Sequence, residues 1–159
     1  MVYLKYIYFY NTEIGNIGIV ADDSSIKNVF FKATDIKGLI EVKETPLLKK
    51  AGTQLIEYLS GKRSNFTVPL APEGTDFQKR VWFSLIGIPY GQTRSYGEIA
   101  KRIGNPKAAR AVGMANNQNP IPIFIPCHRV IGANGKLTGY AAGLEIKKYL
   151  LNLEHYAKR

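Results

Sequence analysis

Residues 95–116 read Ser-Tyr-Gly-Glu-Ile-Ala-Lys-Arg-Ile-Gly-Asn-Pro-Lys-Ala-Ala-Arg-Ala-Val-Gly-Met-Ala-Asn. Ser95-x-x-Glu98 is a capping box, in which each side chain satisfies a backbone N–H left free at a helix start. The helix it opens should run to about Ile103, and Gly104 breaks it. Asn105 can cap a second helix over about Pro106–Asn116, with Pro106 at its first position. Two short helices joined by a glycine-containing turn make a helix-turn-helix candidate; a plain helical corner fits the same pattern. The second helix is nearly bare. Ala108, Ala109, Ala111, Gly113 and Ala115 add almost no bulk, and Arg110 is the one long projection in that run. Helices that read the major groove carry several long polar side chains. A smooth helix with one arginine suits close approach to a narrow groove, to a backbone or to another helix.

Outward from this core, Asp76–Ile86 predicts a helix capped by Thr75 or Asp76, with Phe77, Val81, Trp82 and Leu85 as its apolar stripe. Ile88-Pro89-Tyr90-Gly91 ends it. On the other side, Pro120, Pro122 and Pro126 exclude helix and should hold the chain extended. Gly132, Asn134 and Gly135 turn it, and Gly139–Gly143 is a small-residue loop. A closing helix over about Leu144–His155 should bury Ile146, Tyr149, Leu150 and Leu153. The first third predicts strands at Val2–Tyr10, Ile17–Ala21 and Ile26–Lys32, with a turn cluster at Asp22-Asp23-Ser24-Ser25. A helix follows over Pro46–Ser60. The expected fold is α+β: a small strand-rich α/β domain over residues 1–62, a linker over 63–75 and a mostly helical domain over 76–159.

Composition narrows the function. The chain has 159 residues, 45 % apolar and 21 % charged, which is globular rather than disordered stock. Its one cysteine excludes an internal disulfide, and with only His128 and His155 beside it no cysteine-rich zinc site can form. No apolar run approaches the roughly 20 residues of a membrane span. The start lacks a basic region followed by a plain apolar stretch, so no signal peptide is expected. A reducing cytosol, or the nucleus in a eukaryote, is the default. The net charge is +10, and it is one-sided. Residues 1–78 balance 9 basic against 9 acidic residues. Residues 79–159 set 13 basic residues against Glu98, Glu145 and Glu154 alone. An excess confined to one half points to a polyanion, nucleic acid being the commonest, or to a solubilising surface.

Cys127 is followed directly by His128 and Arg129. A lone cytosolic cysteine is most often a small buried hydrophobe, but cationic neighbours favour the thiolate, which is the nucleophile. Adjacent residues on a strand face opposite ways, so a turn or a bridging water is needed before the imidazole can take the thiol proton. The base then needs an orienting group, and Glu154 on the last helix can serve.

Pro126-Cys127-His128-Arg129-Val130 resembles the active-site signature of the O6-alkylguanine-DNA alkyltransferases. Ser95-Tyr96, Gly104-Asn105-Pro106 through Gly113, Asn119-Pro120, the Gly139–Gly143 loop and Glu154 follow in that family's order and spacing. The resemblance spans about Asp76–Glu154 and is only of general shape over residues 1–60. It implies an RNase H-like first domain and a monomeric protein, with self-association along DNA left open. The implied substrate is double-stranded DNA carrying an alkylated guanine, with O4-alkylthymine a further option. The nucleotide would be flipped from the stack at a cost of a few kcal/mol. Cys127 would then take the alkyl carbon irreversibly, so each molecule acts once, with no cofactor and no metal.

The resemblance also assigns roles. His128 would be the base, acting through water, with Glu154 orienting it. Asn119 would brace the turn into the active site, and Tyr96 would aid nucleotide rotation and protonate the leaving guanine. Arg110 would enter the stack in place of the base. Ser95, Ala109, Ala111 and Gly113 would lie along a minor-groove surface, unlike the usual docking of this motif. Tyr140, Ala141, Pro122 and Val130 would line the alkyl pocket. Two departures stand out. Ala141 replaces a frequent serine, removing a hydroxyl from the pocket, and the single cysteine leaves no counterpart to the zinc site of some relatives. A damage-binding protein without transfer and a Cys–His–Glu hydrolase are the alternatives. Cys127 opposes the first, and the one-sided charge is unexplained by the second.

Overall fold

The structure, a computed structural model, describes residues 4–32 and 38–157, with side chains to residue 155. Its chain contacts divide it into Met1–Pro72 and Glu73–Arg159. In the first unit, aromatic and β-branched residues form a hairpin of β1 (Lys5–Thr12) and β2 (Gly15–Ala21). Gly15 turns it at φ +110°, a region that L side chains rarely adopt. The turn cluster then leads into β3 (Ile26–Phe30). The expected start of β1 at Val2 lies outside the described residues. A short strand that the sequence pattern did not suggest, β4 (Ile40–Val42), pairs parallel to β1, giving the order β3-β2-β1-β4.

Helix α1 (Pro46–Leu59) starts where expected, with Thr45 accepting from the Leu48 N–H and Pro46 in the first turn. It lays Leu48, Ala51, Leu55 and Tyr58 on the sheet, where all four are fully buried beside Ile17 and Ile19. Gly52 lets the Tyr10 ring lie directly on the helix, since a Cβ there would overlap the ring. The segment 63–75, expected as a linker, is divided. Gln54 bonds both the hydroxyl and the N–H of Thr67. Ile26 exchanges backbone bonds with Pro69 and Ala71. Residues up to Pro72 therefore complete the first unit.

The second unit is helical. Helix α2 (Asp76–Ile86) has a full capping box between Thr75 and Gln78, and its Trp82 Nε1 donates to the Ala115 carbonyl at 2.8 Å. Strand β5 (Arg94–Ser95) leads into α3 (Tyr96–Arg102), opened by the expected Ser95–Glu98 box. Helix α4 (Ala109–Asn117) packs on α2 and α3. It begins three residues later than expected and has no side-chain cap. The Ala108 N–H bonds the Asn105 carbonyl, so Asn105-Pro106 form a turn instead of a helix start. Proline at the second position of a turn uses the same fixed φ that would have suited the helix.

The proline-rich segment is not extended. The Ile125 N–H returns to the Ile121 carbonyl at 2.9 Å, and Ile123 sits at φ +75°. A β-branched residue there stores strain of order 1–3 kcal/mol, held by surrounding bonds. Cys127–Arg129 form one 3-10 turn rather than a strand. β6 (Val130–Ile131) pairs parallel to β5, and α5 (Leu144–Ala157) closes the unit. Among the described residues no helix is long and apolar enough to cross a membrane.

Candidate active site

The site forms where α4 ends. Asn119 Oδ1 accepts from the Ile121 N–H at 3.0 Å and its Nδ2 donates to the Ile125 carbonyl at 2.9 Å. One amide thus closes the strained turn that delivers Cys127. From α4 itself, Asn116 Nδ2 reaches the Cys127 carbonyl at 3.3 Å. The tight turn answers the facing problem posed by a strand, because successive side chains now splay around one helical turn.

Glu154 Oε2 lies 2.7 Å from His128 Nε2. Arg129 grips the same carboxylate from two nitrogens, Nε to Oε1 at 2.8 Å and Nη2 to Oε2 at 2.9 Å. The Gly91 N–H adds a fourth bond at 3.1 Å. Burial pushes the Glu154 carboxyl up, but the bonds from His128 and Arg129 outweigh it and hold the group at about 2. An ionised carboxylate only accepts, so His128 Nε2 carries the proton of that bond. Nδ1 is then the acceptor nitrogen of the neutral ring. Burial lowers the His128 pKa, Glu154 opposes the shift, and the Arg129 and Lys147 charges reinforce it.

Cys127 is 4 % exposed. Sequence neighbours led us to expect a lowered thiol pKa. Instead burial dominates and pushes it up to about 11, against opposing hydrogen bonds from Asn119 and Tyr140 and the Lys147 charge. The resting group is a thiol that must lose its proton to react.

Helix α5 turns a different face inward than its apolar residues suggested. Lys147, Leu150 and Glu154 share one side by helical spacing and are the buried residues of its described length. Ile146, Tyr149 and Leu153 are only half-buried. The polar pair is affordable because both members have bonds. Lys147 Nζ donates to the Val130 and Thr138 carbonyls, each at 2.7 Å, joining β6 to the loop that carries Tyr140. Sequence reading missed Lys147, Asn116 and the Arg129 grip on Glu154. The only available signal was a lysine and a glutamate seven residues apart, bracketing Leu150.

The other expected residues fall as follows. Tyr96 bonds the Thr138 carbonyl and hydroxyl at 3.2 and 3.1 Å. Tyr140, Pro122 and Val130 are buried, while Ala141 is exposed. Arg110 and Ala111 are exposed on α4, and Ala109 and Gly113 are half-buried. A Cβ at Gly113 would stand 3.6 Å from the Tyr96 ring. Ser95 spends its hydroxyl on the α3 cap.

The carboxylate network makes a direct stability prediction. Glu154 has a depressed pKa in the folded state, so the stability it confers is present above the ordinary 4.5 and is lost as pH falls toward about 2. Denaturant melts of the wild type should lose stability steeply across that window. Glu154→Gln should be less stable at neutral pH and flatter across it. Parallel curves for the two proteins would contradict the assignment.

Helices α3 and α4, arranged as a helix-turn-helix, lead to a turn whose buried thiol is followed by a histidine bonded to a carboxylate, the groups that a cysteine group-transfer protein would need. Comparison with known proteins agrees. Residues 5–72 match the ribonuclease-like domain of 6-O-methylguanine DNA methyltransferase, and residues 76–156 match its DNA binding domain. A methylated-DNA–protein-cysteine methyltransferase of Methanosarcina acetivorans is 54 % identical over 154 residues, covering 94 % of this chain and 97 % of that one. The constitutive enzyme of that name from Bacillus subtilis is 48 % identical over 150 residues, covering 90 % and 91 %. The crystal structure of Mycobacterium tuberculosis OGT in complex with DNA superposes with a TM-score of 0.90 at 45 % identity, covering 96 % and 94 %. The chain belongs to the 6-O-methylguanine DNA methyltransferase family.

Proposed function

We infer that this protein repairs double-stranded DNA by moving the alkyl group of O6-alkylguanine onto the Cys127 sulfur. The observation that carries the reading is the placement of the single thiol. It sits on a tight turn braced by Asn119 and Asn116, directly after the exposed α4 surface and beside the His128–Glu154 pair. DNA as partner is supported by the one-sided charge and by the DNA complex of the OGT relative.

The reaction balances as a displacement at saturated carbon. His128 Nδ1 takes the Cys127 proton through a water, the sulfur–carbon bond forms, and the carbon–O6 bond breaks with its electron pair on guanine. Tyr96 supplies a proton to the leaving base. Its hydroxyl is bonded to Thr138 in this structure. Arg110, with α4 against the minor groove, fills the stack when the nucleotide rotates out, and Tyr140, Pro122 and Val130 shape the alkyl pocket. The same displacement would apply to O4-alkylthymine. The thioether product is inert to water, so the protein is consumed, and its reduced thiol fits a cytoplasmic setting.

Intact-mass spectrometry after incubation with O6-methylguanine duplex tests this. One added methylene per chain, mapped to Cys127, is expected. Repeated release of label into water would replace the reading with hydrolysis. A second adduct per chain would remove the single-acceptor claim.

A further inference from the structure

We propose that Arg129 is a positioning residue whose buried charge keeps His128 a neutral base, able to take the Cys127 proton at neutral pH. The proposal rests on the transfer reading above and adds a requirement to it. The side chains of His128, Glu154 and Arg129 are 0 %, 1 % and 8 % exposed. In such surroundings charges are weakly screened. A buried carboxylate bonded to an imidazole, with nothing to balance it, favours a second proton on the ring. An imidazolium has no lone pair and cannot accept from a thiol.

The structure places the balancing charge on Glu154. Two nitrogens of the guanidinium span both carboxylate oxygens, a fork geometry that lysine cannot reproduce. The third, Nη1, donates to the Ile88 carbonyl at 2.7 Å, and the group lies 5.6 Å from the centre of the Tyr90 ring. Arg129 is thereby fixed on three sides, and the Glu154–Arg129 pair is close to neutral as His128 meets it. Among the described residues, other charged or titratable neighbours include Cys127 in the same turn, Lys147 on α5 and Tyr90 before β5. Lys147 acts in the same direction as Arg129 on the ring. What remains of Glu154 is a directional acceptor. It holds the Nε2 proton in place and turns Nδ1 into the acceptor, then stabilises the ring once the thiol proton has arrived. A signature in which arginine follows the catalytic pair is thus a charge-balancing device as well as a packing element.

The chain has two histidines, His128 and His155, so imidazole nitrogens can be followed individually by NMR. The wild type without DNA should show a neutral His128 at about pH 7. A charged ring there overturns the proposal without any variant. Arg129→Gln should charge the ring at that pH and slow single-turnover transfer about tenfold or more, with the loss recovering as pH rises. A loss equal at every pH, with the ring still neutral, would reduce Arg129 to a structural role and refute the proposal. Arg129→Lys keeps the charge without the fork, so its ring should be less charged than that of Arg129→Gln, and rings equally charged in the two variants refute it. The double variant Arg129→Gln/Glu154→Gln removes both charges and should return the ring to neutral; a ring that stays charged counts against the mechanism. The NMR reading needs no substrate. A wild type that transfers no alkyl group would therefore sink the transfer reading while leaving the charge on His128 measured.

Discussion

Cys127→Ala is expected to abolish alkyl transfer completely while leaving affinity for alkylated duplex within about threefold of the wild type, less than about 0.7 kcal/mol. Chemistry and binding rest on different atoms. Cys127 is the only thiol in the chain, so no other thiol can inherit the alkyl group. The surface proposed to meet DNA is the exposed part of α4, with Arg110 and Ala111, together with the basic side chains of the second unit. None of these depends on the sulfur. The backbone at residue 127 is held by its N–H on Ile125 and by Asn116 on its carbonyl, bonds that alanine keeps. Removing one buried sulfur leaves only a small cavity, so folding should survive. The measurement pairs a methyl-transfer assay with fluorescence anisotropy on the same duplex. A parallel fall in transfer and affinity would mean that the thiol helps to hold DNA, and the division of roles would fail.

The helical half of the fold was readable from local chemistry. The Ser95–Glu98 box and the Trp82 stripe act within one or two turns, so residue types alone marked α2 and α3. Where the outcome depended on distant partners the pattern misled. Pro106 looks like a first helical residue, but the turn closed by Ala108 and Asn105 uses the same φ, and α4 starts after it. Pro120, Pro122 and Pro126 do exclude helix. They do not impose extension, because Asn119 folds the intervening residues into a turn with Ile123 at positive φ. Strand β4 has three residues and exists because β1 offers it an edge. Nothing within Ile40–Val42 announces that.

The members of the candidate site could be named from the sequence, whereas its electrostatics could not. Cys127, His128, Glu154 and Asn119 were named from the sequence, and the fold gathers them. The thiol pKa went the other way because burial is a property of the packed whole. Arg129 and Lys147 are visible as charges, but sequence cannot say that either is buried. On a helical wheel Lys147 lies between apolar neighbours and would ordinarily snorkel to water. Here its ammonium instead finds the Val130 and Thr138 carbonyls, contributed by β6 and the following loop.

Arg110→Ala should slow repair of O6-alkylguanine in duplex roughly thirtyfold while changing the rate with free alkylguanine base by less than about twofold. The reason is an energy difference confined to duplex substrate. Taking a base from the stack costs a few kcal/mol, and a side chain that occupies the gap offsets part of that cost. Arg110 is exposed on α4, among residues too small to fill a stack: Ala109, Ala111 and Gly113. The other long exposed side chains near it are Lys107, ahead of α4, and Met114, one turn further on, so Arg110→Ala is best compared with Arg110→Ala/Met114→Ala. If Arg110 supplies about 2 kcal/mol of the offset, the rate falls about thirtyfold. Free base needs no extrusion, and Arg110 stands outside the Cys127–His128–Glu154 network, so the chemical step should be untouched. Charge must be separated from bulk. Arg110→Lys keeps the cation and most of the length, whereas Arg110→Met keeps length alone. If intercalation is the role, Met should recover more of the duplex rate than Ala does, at every salt concentration. If phosphate attraction is the role, Met and Ala should fall together, and the Ala defect should shrink as salt screens the wild type. Equal slowing of duplex and free base by Arg110→Ala would remove the side chain from the stack altogether and place it in the chemistry, a position its exposure on α4 gives it no means to occupy.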